Sequence, residues 1–311
     1  MPKTKVFLDT DIGSDPDDCF CLTYLLNQPE CEIVGISTVG PYATKRAKLA
    51  AMLCRHFGQP DVRIAAGADH PILSNPYWLD HHLNQEPVLE TFPVETEYAR
   101  GEALQLMRKV IRGNPGEVIL LAVGPFSNAA LLAAADPETA GMVKELVIMG
   151  GRYDNTPEAP RGECNAMLDG AATAKIMNFH WPAMRAAGID CTGGLGVPGD
   201  VVKEKFDNPR LQPLYTCACH GLRGGTAYPG LGVHDPLTAA LLFKPDLCDY
   251  RRGRISVKLY DNDPKDSVPF GDDKAIGITF FEPDEDGPHV IAVNARKEQV
   301  HEHLFGVVCG E

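Results

Sequence analysis

Nowhere in the 311 residues is there an apolar run long enough to cross a bilayer as a helix. Positive charge is in deficit: 29 Lys and Arg face 42 Asp and Glu, a formal net charge of -13. That balance argues against a nucleic-acid polymer or an anionic membrane as partner. A small, neutral or cation-assisted substrate is the easier fit. Ten cysteines are present but none forms a C-x-x-C pair, and Cys19/Cys21 and Cys217/Cys219 are poor zinc frames. Thiols scattered in this way suit a reducing compartment. Met1-Pro2-Lys3-Thr4 leads directly into a strand-like run without the marks of a signal peptide, so a cytoplasmic location is expected. Linkers and internal repeats are lacking as well, which favours one domain over residues 1–311.

What is there alternates between strand-like and helix-like segments. Val6-Phe7-Leu8, residues 31–39 (CEIVGISTV), 62–65, 117–123 (EVILLAV), 145–149 (ELVIM) and 184–189 read as buried strands. Between them, residues 45–57, 95–112, the alanine-rich run after Asn128, and 171–178 read as helices. Residues 235–243 and 296–305 read as helices too, and strand signals recur over 254–293. Repeated β-loop-α units with buried strands indicate an open, mostly parallel sheet covered by helices on both faces, a Rossmann-like α/β core. Two stretches fall outside the pattern. Residues 70–94 form a long Pro-rich connection, expected to be a lid or rim. Residues 190–232 are glycine-rich and read as helical insertions and a flap.

Ligands of such sheets bind beyond the carboxyl ends of the strands, and there the first strand delivers an unusual load. Asp9, Asp11, Asp15, Asp17 and Asp18 lie within ten residues. Charges so close raise one another's pKa unless something positive sits among them. Gly13 permits a sharp turn, and Pro16 reads as the first helical residue behind an Asp15 N-cap. Asp17 and Asp18 then fall in the first turn of a helix through Phe20, Leu22, Leu25 and Leu26. A dense oxygen cluster at a strand-to-helix turn is where a hard divalent cation binds. One or two acids would be an ordinary helix start; five point to a metal or catalytic site. An EF-hand loop is excluded because a strand, not a helix, precedes the acids.

The run Asp9-x-Asp11-x-Gly13, followed by Asp17-Asp18, resembles the opening motif of the nucleoside hydrolases, the inosine–uridine preferring family. Ser14, Asp15 and Pro16 stand where that family has one residue, and Cys19-Phe20-Cys21-Leu22 aligns its paired aspartates on Asp17 and Asp18. Three later stretches extend the resemblance: residues 120–128 around Gly124-Pro125, then Met149-Gly150-Gly151 with Glu163-Cys164-Asn165, then His234-Asp235-Pro236.

The resemblance implies an N-ribosyl hydrolase (nucleosidase) with calcium as cofactor, acting on a small nucleoside substrate and assembling as a homodimer or homotetramer. It implies that Asp11, Asp18, Asp235 and the carbonyl of Val123 hold the metal, and that Asp11 also takes the proton of the attacking water. Asp17, Asn165 and Glu163 would bind ribose hydroxyls, Glu163 on the 5′ side, with Met149 beside them. His234 would protonate the departing base, a task suited to an imidazole. The insertion makes Asp15 an alternative to Asp17 or Asp18. Ser127 and Asn128 read as helix caps, and so does Asp235 in addition to its metal role. Gly40-Pro41-Tyr42 lacks the family's ribose-binding asparagine, and Asn155 is the nearest candidate for another. His81 and His82 lie near a histidine position of the family but lack its glycine context. Two other readings fit the first motif: a haloacid-dehalogenase-type phosphatase with Asp9 as nucleophile, and a calcium-dependent ribose-binding protein without turnover.

Overall fold

The computed structural model describes residues 2–73, 78, 81–220, 230–259 and 277–310. The chain opens with strand β1 (Thr4–Thr10), helix α1 (Asp17–Asn27), β2 (Cys31–Thr38), α2 (Ala43–His56) and β3 (Ile64–Ala66). After a short α3 (Val88–Thr91) come α4 (Ala103–Gly113), β4 (Val118–Ala122), α5 (Ser127–Ala135), α6 (Pro137–Ala140) and β5 (Glu145–Met149). Then follow α7 (Cys164–Leu168), α8 (Gly170–Met177), β6 (Met184–Ala187), α9 (Ile189–Thr192), α10 (Gly199–Phe206), α11 (Gln212–His220) and α12 (His234–Ala240). The last part holds β7 (Asp249–Lys258), β8 (Ile278–Pro283), β9 (His289–Val293) and α13 (Lys297–Phe305).

Nine strands form one sheet in the order β3-β2-β1-β4-β5-β6-β9-β7-β8. Every pairing from β3 to β9 is parallel, and β7 runs antiparallel to both β9 and β8. Alternating residues of β1 enter two different cores: Val6 and Leu8 pack on one face, Phe7 on the other. In β4, Ile119 and Leu121 join the first core, while Val118, Leu120 and Ala122 join the second. Apolar runs without polar alternation are what a strand buried on both faces requires. Helix α1 is buried along nearly its whole length, so small Cys19 and Cys21 alternate with Phe20 and Leu22 rather than with polar residues.

Chain order reverses between β1 and β4, and it is there that the parallel strands open a crevice at their carboxyl ends. Register fixes what lines it: Asp9 pairs with Ser37 of β2 and Ala122 of β4, and Thr10 with Thr38. The ladder then ends, with the Val123 and Val39 amides donating to the carbonyls of Asp9 and Thr10.

Several boundaries differ from the sequence-based expectation. The helix expected over 95–112 starts only at Ala103, because Gly101 takes a left-handed turn at φ 76° just before it. The connection 70–94 contains α3. Pro16 occupies the N-cap position of α1, so Asp15 does not cap it. Helix α12 begins at His234 behind Val233, which puts Asp235 inside the first turn with no capping bond. The flap glycines 221, 224 and 225 lie outside the described residues.

Candidate active site

Residues Asp11, Asp17, Asp18, Val123, Met149, Glu163, Asn165, His234 and Asp235 line a single cavity of about 340 Å³ at the carboxyl ends of β1, β4 and β5. Every residue expected to bind metal or substrate, or to act in catalysis, is therefore in one place. Asp15 lines the same cavity.

Three of the acids form a tight group. One carboxylate oxygen each from Asp17, Asp18 and Asp235 lies within 4.8 Å of the others. All three are buried, and burial is the first cause that lifts their pKa values. Repulsion from neighbouring carboxylates is the second: Asp11 contributes to each and Asp15 adds to it at Asp17, where His234 pulls the other way. Asp17 is pushed up to about 6, and Asp18 and Asp235 well above the carboxylate range. Opposing this, the Thr10 hydroxyl donates to Asp18. A trio of buried carboxylates with so little hydrogen bonding needs protons or a cation. The donors are all hard oxygens, and the carbonyl of Val123, free of the ladder, is a fourth. These residues fit a hard divalent ion.

Asp11 stands apart. Burial pushes its carboxyl up, but His81 and Arg46 outweigh that and hold it below the ordinary carboxylate value. His81 Nε2 is 2.5 Å from Asp11 Oδ2 and 3.2 Å from Ser14 Oγ. The histidine that the sequence left unassigned is thus on the cavity wall, carried there by the long connection after β3. It also occupies space above Gly40, where a Cβ would come within 3.6 Å of its ring. Gly124 serves Asp11 in another way: a Cβ there would lie 2.8 Å from Asp11 N and from Oδ1.

Arg46 lies behind the acidic loop, fully buried, on a face of α2 that also carries Ala43, Ala50 and Leu53. Its guanidinium donates to the carbonyls of Asp11, Ile12 (3.2 Å), Pro41 (2.8 Å) and His81 (3.2 Å), and to Ser14 Oγ (2.9 Å). Sequence reasoning missed it. The signal was present, since an arginine at helical spacing among buried alanines and leucines sits on the inner face.

The second wall comes from the loop between β5 and α8. Glu163 caps α7, accepting from Asn165 N (2.9 Å) and Ala166 N (3.0 Å), and also from Gly151 N (2.7 Å). Burial raises its pKa while those three amides oppose the rise. Asn165 Nδ2 donates to the carbonyls of Val123 (2.7 Å) and Met149 (3.2 Å). Asn155 instead ties its own loop to β8, donating to the Arg161 and Thr279 carbonyls, and is not among the cavity residues.

Ser127 and Asn128 do not cap α5. Ser127 donates to Asp169 (2.6 Å). Asn128 donates to Asp9 Oδ1 (2.8 Å) and the Thr38 carbonyl (3.1 Å), and accepts from Ala68 N (2.9 Å). Asp9 also accepts from Ser37 (2.6 Å) and is wholly buried away from the cavity, its carboxyl lifted by burial to about 7. That placement removes the phosphatase reading, which needs Asp9 exposed as a nucleophile. A cleft of about 650 Å³ beside Lys45, Lys48 and Pro87 lies outside this centre; Lys45 pairs there with Glu86.

The profile of one family, described as inosine-uridine preferring nucleoside hydrolase, matches residues 6–301. Uridine nucleosidase 1 of Arabidopsis thaliana is 29% identical over 265 residues, covering 82% of this chain and 78% of that one. The inosine-uridine preferring nucleoside hydrolase of Crithidia fasciculata is 28% identical over 277 residues, covering 83% and 84%. Among solved structures, a plant nucleoside hydrolase superposes with a TM-score of 0.79 at 21% identity, over 100% of both chains. A purine-preferring ribonucleoside hydrolase from Gardnerella vaginalis gives 0.78 at 17% identity, over 99% and 98%. These structural likenesses bear on the fold; the match along nearly the whole sequence, together with the acids gathered at the switch point, makes this chain a member of the inosine-uridine preferring nucleoside hydrolase family, an enzyme that hydrolyses the N-glycosidic bond of ribonucleosides.

Proposed function

We propose that the cavity binds a ribonucleoside and a calcium ion together, and that Asp11 and His234 work on opposite ends of the bond that breaks. The observation that carries this reading is the convergence of all nine assigned residues on one cavity, with three of their carboxylates within 4.8 Å. Asp18, Asp235 and the Val123 carbonyl hold the ion, with Asp11 alongside. Calcium takes about six to eight oxygens, so substrate hydroxyls would complete the set. When bound, the ion supplies a grip on the ribose 2′ and 3′ hydroxyls and makes water more acidic.

The chain's own groups do the rest. Asp17 accepts from ribose hydroxyls, Asn165 donates to them, Glu163 orients the sugar from its 5′ side, and Met149 packs beside it. The N-glycosidic bond breaks through an oxocarbenium-like state, its electrons passing to the base. His234 protonates that base as it leaves, which typically contributes about 100- to 10,000-fold. The oxygen of the attacking water bonds the anomeric carbon, and its proton passes to Asp11, whose carboxyl His81 and Arg46 keep ionised.

The single continuous sheet supports one domain over the whole chain. None of the described helices is long and apolar enough to cross a membrane, which is compatible with a cytoplasmic enzyme. We further infer a homodimer or homotetramer, tested by light scattering. A panel including uridine and inosine, read as free ribose with and without chelator, tests the reaction. Turnover that chelator stops and calcium restores is expected, with Asp18→Ala and Asp235→Ala both inactive. Normal turnover in either variant would refute the ligand assignment.

A further inference from the structure

We propose that Thr192 is a positioning residue for the leaving-group side of this reaction: its hydroxyl fixes the His234 imidazole so that Nε2 is the edge offered to the departing base. The proposal rests on the assignment of His234 to that base. Thr192 ends α9, immediately after β6, and none of the four motif-bearing loops contains it. Its Oγ1 lies 2.8 Å from His234 Nδ1, across 42 residues of sequence, and the side chain is buried. A buried threonine in a helix ordinarily turns its hydroxyl back to a carbonyl one turn earlier; this one reaches a histidine.

The platform beneath it is fixed from two directions. Ile189 N donates to the Gly151 carbonyl (2.9 Å), and Asp190 accepts from Tyr153 N (2.9 Å). Helix α9 is therefore tied to the loop that presents Glu163. On its other side the ring faces Gly232. A Cβ added there would stand 3.1 Å from His234 Cδ2, 3.4 Å from Nε2 and 3.7 Å from Asp17 Oδ2. The Nε2 edge and the Asp17 carboxylate thus border the same spot, and a glycine leaves it open.

A hydroxyl suits this task better than the carboxylate that commonly orients a histidine. It accepts from Nδ1–H of the protonated ring and, because the proton leaves from Nε2, from Nδ1–H of the neutral ring as well, so the contact survives loss of the proton to the base. It also adds no negative charge beside Asp17, Asp235 and Glu163. Threonine's branched β-carbon restricts χ1, which a serine would not do as firmly.

The test uses the calcium-loaded full-length enzyme, two substrates, and the variants T192V, T192S and H234A. Uridine needs a proton on its base to depart; p-nitrophenyl β-D-ribofuranoside releases a phenolate that does not. T192V, which keeps shape and loses the hydroxyl, should lower kcat on uridine by about 10- to 100-fold, part of the general-acid contribution, with little change in KM. Its loss on the p-nitrophenyl riboside should be at least about ten times smaller, and T192S should recover most of the uridine rate. The 15N shift of His234 Nδ1 should move in T192V and not in T192S. Equal losses on both substrates, no loss on either, or no recovery in T192S would overturn the proposal. A T192V protein that does not fold leaves T192S and the 15N shift to decide it, since a His234 Nδ1 signal typical of a nitrogen without a hydrogen bond refutes it directly. If H234A itself turns over uridine normally, the assignment of His234 fails and the proposal with it. If the wild-type enzyme cleaves the riboside and no nucleoside, the substrate reading fails instead.

Discussion

On one wall of the cavity Glu163 meets three backbone amides at 2.7, 2.9 and 3.0 Å. On the other, Asp17, Asp18 and Asp235 meet mainly one another. Both walls bury carboxylates, yet the backbone satisfies the first, whereas the second has to be completed by a ligand. The contrast separates two uses of an acid: Glu163 organises a helix start, while the trio is an excess of negative charge that calls for a cation. Substitutions on the two walls should therefore have effects of different kind as well as size.

Removing one charge from the trio should break that contrast most sharply. Asp235→Asn is expected to lower kcat/KM by about a thousand-fold, several kcal/mol of lost metal assistance. In chelator, however, it should stabilise the protein, because a neutral amide escapes both the burial and the repulsion from Asp17, Asp18 and Asp11 that raise this carboxyl. Calorimetry beside kinetics would show both; a destabilised apo-variant would refute the repulsion argument. Next in size is Arg46→Met, which strips the buried cation from behind the acidic loop. Denaturant unfolding should show a loss of about 3–5 kcal/mol, as for one partner removed from a buried charge network.

Asp9 offers a pH-dependent comparison with its neighbour Asp11. The Asp9 carboxyl is lifted from near 4 to about 7 in the folded chain. Between those values the folded state holds more protons than the unfolded one. This contribution to stability is thus complete below about pH 4 and lost as the pH rises toward 7. Asp9→Asn keeps the acceptor for Ser37 and Asn128 and should flatten that part of the Tm-against-pH curve in chelator, a difference of about 2–4 kcal/mol across the window. An unchanged slope would assign the dependence to other groups. The smallest effect is expected on the satisfied wall. Glu163→Gln points an amide N–H₂ at backbone donors and should cost about 1–3 kcal/mol of stability. Its turnover should fall far less than that of Asp235→Asn.

Much of the site was legible because its parts are written contiguously. The five aspartates running from the end of β1 into the first turn of α1 and the His234-Asp235-Pro236 start of α12 each carry enough chemistry in one short run to be read without coordinates. Glu163 and Asn165 needed the family pattern, since such a pair on its own has little meaning. What stayed hidden depends on contacts between distant segments. The inward place of Arg46 shows in its helical spacing, but its partners do not, being carbonyl oxygens that leave no residue-type signature. Asn128 looks like a cap until the register places Ser37 and Asp9 side by side. His81 arrives on a connection with no periodic pattern, and Thr192 is an ordinary threonine until His234 is beside it. The same limit explains the late start of α4, where the left-handed Gly101 overrode a good helical pattern.

Arg46 carries one more implication. Because it grips the loop through main-chain oxygens rather than through the carboxylates, it supplies positive potential to Asp11 and Asp18 from the rear without itself occupying a carboxylate oxygen. A salt bridge to either side chain would have given the same neutralisation and spent the very atoms a nucleoside or ion must find. A counter-charge out of the way of its own beneficiaries lets an acid pocket be assembled during folding, before anything has arrived to fill it.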